Sequence, residues 1–430
     1  MAPRNKERRT VARHAHLPTP SRTKTGMRIF GVALGVLLVS GIAVASFVVG
    51  DLFHRIGDGA VSLEGGADVA PPGFGAYPDD RSFNIPIIGT DECGPLTTEI
   101  LGERCREADG SVLNDVNLLV HVSAAPRNVT VLSLPRDLMV AVPECTREDG
   151  STASALSKAS INSVYQHAGL ACVASTVSDL GDIPIEFAAK MSFDDLVAIT
   201  DDIGGVDVCI GGNGINDHLA GIDHWPAGIR TVSGIEALMF IRTRHGVGDG
   251  SDLARVSNQP QYMSRLARTV LSNETLTDVS KVMRMANTIA DNILPSKELA
   301  NPLTLAQLAL AFKDVPFSDF VFVQYPTLDD PDNPGIKVVP DESAAAQMWA
   351  AINSGQPLTI TGDASNHGGV TAVEPTDEDA SEEPTAPTTE PTAPTDPTDA
   401  PATPDGRATL PPTVTGISLE QETCANGKLN

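Results

Sequence analysis

Short apolar runs alternate along this chain with stretches whose apolar residues recur every three or four positions. FNIPIIG (83–89), NLLVHV (117–122) and VTVLSL (129–134) are β-branched runs of strand length. INSVYQHAGL, CVASTVSDL and MSFDDLVAITDDI have helical spacing, and the last stops at Gly204-Gly205 before the strand VDVCI. SGIEALMFIRTR opens with Ser233 and carries Glu236 three residues on, a capping-box pattern. LTDVSKVMRMANTIADNIL reads as another helix, FVFVQYP as another strand, and Asp341 caps a final helix. Strands alternating with helices predict one α/β domain over 82–355, its sheet covered by helices.

The ends read differently. Residues 29–50, IFGVALGVLLVSGIAVASFVVG, carry no charge and are long enough to cross a bilayer as a helix. Residues 1–28 hold eight Lys or Arg and one acid in a chain of net charge −25. That asymmetry predicts a single-pass cell-membrane protein with a cytoplasmic amino terminus and an extracellular domain. Ala43-Val44-Ala45 resembles a signal cleavage site, but the basic and apolar regions are both longer than a secretory signal needs. An uncleaved anchor is the reading adopted. Residues 51–81, rich in Gly, Ala, Asp and Pro, are expected to form a stalk, and 356–430 a disordered acidic Pro/Thr-rich tail. Export makes disulfides the expected state of the six cysteines. Cys93 with Cys105 and Cys145 with Cys172 are the favoured pairs, whereas Cys209 and Cys424 stay open.

Charge raises the functional question. In RTRHGVGDGSDLARVSNQ, Arg242, Arg244 and Arg255 flank a glycine-rich loop in an otherwise acidic protein. Arg242 ends one helix. Ser251 or Asp252 can cap the next, which places Arg255 and Gln259 one turn apart on one face. Pro260 predicts a kink in that helix or a later start. Guanidinium groups converging from two helix ends suit phosphate oxygens, although pairing with surface acids is an equally simple use for them. Arg136-Asp137 follows the strand VTVLSL at its carboxyl edge, where open α/β sheets place ligands. Asp91 follows one strand and Asp115 precedes another, so the two could share Mg²⁺ or Mn²⁺ with substrate phosphates. His245 adjoins the arginines, but a loop histidine is usually incidental. Apolar residues in VSDLGDIPIEF and YMSRLARTVL could line a lipid slot or simply be core.

NIPIIGTD, LNDVNLLVHVSAAPRNVTVLSLPRD, INSVYQHAG, MSFDDLVAITDDIGGVDVCI, SGIEALMFIRTRH and SDLARVSNQ, in this order, resemble the LytR-CpsA-Psr family of membrane-anchored cell-wall enzymes. The resemblance spans Phe83 to Leu271. It implies a three-layer sandwich with a mixed central sheet. It also implies a Mg²⁺-dependent phosphotransferase that moves a glycopolymer from a polyprenyl-pyrophosphate carrier to a peptidoglycan hydroxyl. Asp91 and Asp115 match the family's metal ligands; Arg136, Arg242, Arg244 and Arg255, the catalytic candidates, match its pyrophosphate-binding set together with Gln259. Two departures stand out. Leu113 and Ser160 occupy positions where many members have a cation, and Lys158, two residues before Ser160, is the expected substitute. The competing reading is a polyprenyl-phosphate binding protein, a sensor or a pyrophosphatase of the envelope. Nucleic-acid binding is set aside, because it wants a basic face and the basic tract here is a short tail beside the membrane.

Overall fold

VTVLSL is buried at all of its positions, the mark of a strand covered on both faces. In the computed structural model, which describes residues 22–65, 69–73, 75–102, 112–313, 315–365, 368–373 and 406–429, it lies inside a seven-stranded sheet. The strands are β1 (Phe83–Thr90), β2 (Asn114–Val122), β3 (Val129–Leu134), β4 (Ala189–Ser192), β5 (Leu294–Pro295), β6 (Phe320–Gln324) and β7 (Gly416–Ser418). Their spatial order is β5-β4-β1-β2-β3-β6-β7. β2 is antiparallel to β1 and β3, while β4 runs parallel to β1 and β6 parallel to β3. The sheet is therefore mixed, as expected.

The helices used below are α1 (Arg22–Gly57), α2 (Val164–Gly181), α3 (Phe193–Ile203), α4 (Gly234–Arg242), α5 (Asp252–Leu271), α6 (Pro302–Lys313) and α7 (Glu342–Asn353). Leu119, Leu132 and Val321 pack with Val173 of α2 and Met348 of α7 on one face of the sheet. Val129, Val131 and Phe322 turn to the other face, towards α5 and α6. Period-2 alternation thus feeds two cores, giving three layers. The two helical runs expected around Gly169 join as α2 with a break, where Gly169 has φ 78°. The Ser233 capping box does not form: Ser233 makes no side-chain cap bond, and Glu236 pairs instead with Arg230. Ser251 caps α5, which starts at Asp252 and runs through Pro260.

The chain divides into two units, Met1–Asp51 and Leu52–Asn430. Ile29–Gly57 is a candidate membrane span, with Ile29, Phe30, Leu37 and Phe47 exposed, and α1 continues past the expected end at Gly50. The stretch expected as a stalk contributes to the core. Ala70 and Tyr77 are buried, and the Tyr77 ring meets Phe83 edge-on at 4.9 Å.

The expected disordered tail needs a larger correction. The described residues 406–429 fold back onto the domain, β7 pairing with β6 at the sheet edge. Thr423–Ala425 joins Val206–Ile210, Gly228–Val232 and Val370–Ala372 in a second sheet. Composition averaged over the whole tail concealed the buried Leu410, Val414, Ile417 and Leu419, which resume beyond the Pro/Thr run. Cys209 is bonded to Cys424, and Cys145 to Cys172 as expected. Cys93 is also disulfide-bonded; its expected partner, Cys105, lies outside the described residues.

One buried polar group makes a pH prediction. Asn84 donates its backbone N–H to Glu186 Oε2 (2.7 Å), and its side-chain oxygen lies 2.9 Å from His121 Nδ1. Burial pushes the Glu186 carboxyl up to about 7 and the His121 imidazole down to about 4. Glu186, raised, contributes stability that is lost as pH climbs towards 7; His121, depressed, contributes stability that is lost as pH drops towards 4. Each effect is about 3 kcal/mol and their windows overlap, so they offset one another. Relative to wild type, Glu186→Gln should gain stability with rising pH and His121→Asn with falling pH, by similar amounts. Denaturant titrations across this range check the pair, and parallel curves for all three proteins would refute it.

Candidate functional site

Three of the predicted residues meet because β2 is antiparallel to both of its neighbours. Asp91 follows the end of β1, Asp115 is the second residue of β2, and Arg136 lies just beyond β3. That topology brings all three to one edge of the sheet. The β1–β2 register shifts between Gly89 and Thr90, and the chain beyond is clamped by two bonds. Asp91 donates its N–H to the Leu113 carbonyl (3.0 Å), and Asp91 Oδ1 accepts from the Leu113 N–H (2.7 Å). Leu113, a departure from the family pattern, thus serves through its backbone.

Asp115 Oδ2 accepts from Arg136 Nη1 at 3.1 Å, whereas Asp115 Oδ1 is buried and receives no hydrogen bond from the described residues. The Asp91 carboxyl is pushed above its usual range, chiefly by burial and then by the Asp115 charge. The Leu113 N–H and, more weakly, the Arg242 guanidinium act in the opposite direction. Arg242, the last residue of α4, therefore acts on the Asp91 carboxyl.

The arginine loop is organised by a residue the sequence did not mark. Asp217 is only 3% exposed. Its Oδ2 accepts from Thr243 Oγ1 (3.0 Å) and from the N–H groups of Arg244 (2.8 Å), His245 (2.8 Å) and Gly246 (3.4 Å). Its Oδ1 accepts from the N–H groups of Leu219 and Ala220, both at 3.2 Å. Burial opposes the charged form, but these donors outweigh it and hold the carboxyl below its usual range. A Cβ on Gly246 would sit 2.6 Å from Ile215 Cγ2 and 3.2 Å from Asp217 Cβ, so the loop can close on this carboxylate only with glycine there. The carboxyl-terminal stretch braces the same loop: Gly248 N–H bonds to the Asn426 carbonyl (3.0 Å) and Lys428 N–H to that of Gly246 (2.8 Å).

Arg244 is exposed and its Nε bonds to the Gly250 carbonyl at 3.3 Å. Arg255 is half-buried on the first turns of α5, and Gln259 is buried one turn on. Lys158 is not where the sequence reading wanted it. Its ammonium is held by Asp330 (2.7 Å) and Asp332 (2.6 Å), acids of a distant hairpin that parity alone could not reveal. The cation beside Ser160 is Lys337, whose Nζ lies 2.6 Å from Asp137 Oδ1 and 3.1 Å from Ser160 Oγ.

An apolar cavity of about 410 Å³ lies between the sheet and the α3/α5 side, its lining including Gly89, Val116, Phe193, Met263, Leu266 and Phe322. Of the two predicted lipid-slot segments, YMSRLARTVL lines it. VSDLGDIPIEF does not: Val177, Ile183 and Ile185 belong to the core on the opposite face. Its lining residues Gly89 and Val116 belong to the strands β1 and β2 whose ends carry Asp91 and Asp115, two residues and one residue away in sequence.

The sequence model of the LytR_cpsA_psr family matches residues 66–354. The cell wall biosynthesis protein LcpA of Corynebacterium glutamicum is 27% identical over 283 residues, 61% of this chain and 53% of that protein. This chain thus spans about half the length of that relative. The Bacillus subtilis polyisoprenyl-teichoic acid–peptidoglycan teichoic acid transferase TagT is 20% identical over 302 residues, 68% of this chain and 84% of that protein. A solved LytR-Csp2A-Psr enzyme from Actinomyces oris is 20% identical, with 68% of this chain and 96% of that one covered and a TM-score of 0.47. With the family match extending over more than half of its length and containing Asp91, Asp115 and the arginines at 136, 242, 244 and 255, this chain belongs to the LytR-CpsA-Psr family.

Proposed function

We propose that the protein is a Mg²⁺-dependent phosphotransferase that transfers a cell-wall glycopolymer from a polyprenyl-pyrophosphate carrier to a peptidoglycan hydroxyl at the outer face of the membrane. The observation that carries this reading is an apolar cavity lined by Gly89 and Val116 of the two strands whose ends hold Asp91 and Asp115, with Arg136 bonded to Asp115 and Arg242 acting on Asp91 through its charge. An isoprenoid chain needs the first feature and a diphosphate the second. TagT is named a polyisoprenyl-teichoic acid–peptidoglycan transferase, which fits the same division of labour.

The carboxylates suit a hard divalent cation. Asp115 Oδ1 is a buried acceptor without a donor among the described residues, and Asp91 is raised partly by its neighbour's charge; a cation held between them would relieve both. When bound, Mg²⁺ would neutralise charge on the phosphate oxygens. In the transfer, the acceptor oxygen bonds to the phosphorus that bears the glycan, and that phosphorus loses its bond to the bridging oxygen. Polyprenyl phosphate departs with the electron pair, the hydroxyl proton is released, and a phosphodiester results. Arg136, Arg242, Arg244 and Arg255 hold the nonbridging and leaving oxygens through paired N–H donors. Gln259 supports them from the α5 face, and the cavity keeps the lipid end of the leaving group out of water.

The test is to incubate the full chain in detergent with a polyprenyl-pyrophosphate-linked glycan, peptidoglycan fragments and Mg²⁺. Linked product is expected, and Arg255→Ala should lower its rate about 10- to 100-fold, the loss of one or two charge-assisted bonds. Carrier hydrolysis without linkage would favour the pyrophosphatase reading instead.

A further inference from the structure

The hairpin Thr327–Asp329/Val338–Pro340 brings a cation to the site from outside the segments that carry the other cations. Lys337 precedes its second strand. Val338 donates its N–H to the Asp137 carbonyl (3.2 Å), which fixes Lys337 directly beside the Arg136-Asp137 corner. The hairpin is pinned further by Lys158, whose ammonium bridges Asp330 and Asp332, and by the Asp330 N–H bonding to the Lys337 carbonyl (2.9 Å). Lys158 therefore presents the cation without being it.

The Lys337 ammonium has three N–H donors, and Asp137 Oδ1 and Ser160 Oγ take two of them. The side chain is 26% exposed, which leaves the third donor within reach of a ligand. Local charge points the same way. Arg136 lies between Asp115 (3.1 Å) and Asp137 (3.6 Å), with Lys337 on the far side of Asp137, so two cations face two carboxylates. A divalent cation shared by Asp91 and Asp115 would use up the Asp115 charge. Arg136 and Lys337 would then carry surplus positive charge at this end of the sheet, which suits a dianionic or trianionic head group and not a neutral one.

We propose that Lys337 is a binding residue for the diphosphate of the lipid donor, supplying from the hairpin the ammonium that position 160 does not. This rests on the phosphotransferase reading above, so the test must be able to fail separately from it. The full chain in detergent with Mg²⁺ is titrated with geranylgeranyl diphosphate and with geranylgeraniol, which share an apolar chain and differ in charge. Lys337→Met should weaken the diphosphate about 10- to 100-fold and the alcohol less than about 3-fold, since the cavity lining is untouched. Lys337→Arg should recover most of the loss. In the wild-type protein, acylation of Lys337 by an amine-reactive ester, read by mass spectrometry, should be suppressed by the diphosphate and not by the alcohol. That arm needs no variant to fold.

Equal losses for the two ligands would mean that Lys337 only shapes the site, and would overturn the proposal. Unchanged diphosphate binding in Lys337→Met, alongside a loss in Arg255→Ala, would overturn it while leaving the phosphotransferase reading in place. A wild-type protein that binds neither ligand would remove both.

Discussion

Replacing Asp115 by alanine should reduce glycopolymer transfer by at least about 1,000-fold and abolish the response of the protein to Mg²⁺. The two oxygens of this side chain differ. Oδ2 bonds to Arg136, and Oδ1 is buried with no donor among the described residues. Burying a carboxylate oxygen without a partner costs free energy that no other contact of Asp115 returns. A cation with oxygen ligands is the partner that fits. Phosphoryl transfer depends mostly on positioning and on neutralising charge, so removing the site for that cation removes a large share of the catalysis. Binding to the native state alone raises stability in proportion to the logarithm of ligand concentration over its dissociation constant. Wild type should therefore show a melting temperature that climbs with Mg²⁺ or Mn²⁺, and Asp115→Ala a flat one. The ligand-free variant should stay folded, because Arg136 is 26% exposed and keeps Asp137 at 3.6 Å. Asp115→Asn, similar in shape but uncharged, should resemble the alanine variant in both assays. Transfer above a tenth of the wild-type rate, or an unchanged Mg²⁺ response, would refute the metal assignment.

What the sequence made legible follows from how local each signal is. Asp91, Asp115 and Arg136 each sit beside a strand end, and the periodicity of FNIPIIG, NLLVHV and VTVLSL marks those ends directly. Their convergence then depends only on β2 being antiparallel to its neighbours. Lys337 was invisible because it reaches Asp137 across 200 residues, and no periodicity announces a pair at that distance. Lys158 stands two residues before Ser160 on one strand and so shares its face. Its partner was decided by Asp330 and Asp332, which have no sequence relation to it. The lipid slot shows the same limit from the other side. VSDLGDIPIEF and YMSRLARTVL both carry enough apolar residues to line a slot, and only the fold sends one to the core beneath α2 and the other to the cavity. Cys424 could be paired only once the carboxyl-terminal strands were seen to return to Val206–Ile210.

Asp217 is the residue whose loss should show that the arginines act as a positioned set. It accepts from five backbone N–H groups and the Thr243 hydroxyl while almost fully buried. Asp217→Ala strands those donors at a cost of about 1–3 kcal/mol for each that water cannot reach. Water can reach the exposed Arg244 and His245 but not the buried Thr243, Ala220 and Gly246. A stability loss of about 3–5 kcal/mol is therefore expected, read by denaturant unfolding at neutral pH. The depressed carboxyl makes its contribution in full above its unfolded value and loses it only as pH falls through the lower folded one. Asp217→Asn is the sharper variant. It keeps one accepting oxygen but turns an amide NH₂ towards backbone N–H groups, which can only donate, so the loop should open on that side while the core persists. Arg242 and Arg244 border that loop, and misplacing guanidinium groups by about 1 Å can cost about 100-fold in rate. The expected result is a variant that melts cooperatively and still binds geranylgeraniol, yet transfers glycopolymer about 100-fold more slowly. Wild-type transfer in Asp217→Asn would mean that the arginines do not depend on this carboxylate for their placement, and that the loop is held by its contacts with Asn426 and Lys428 alone.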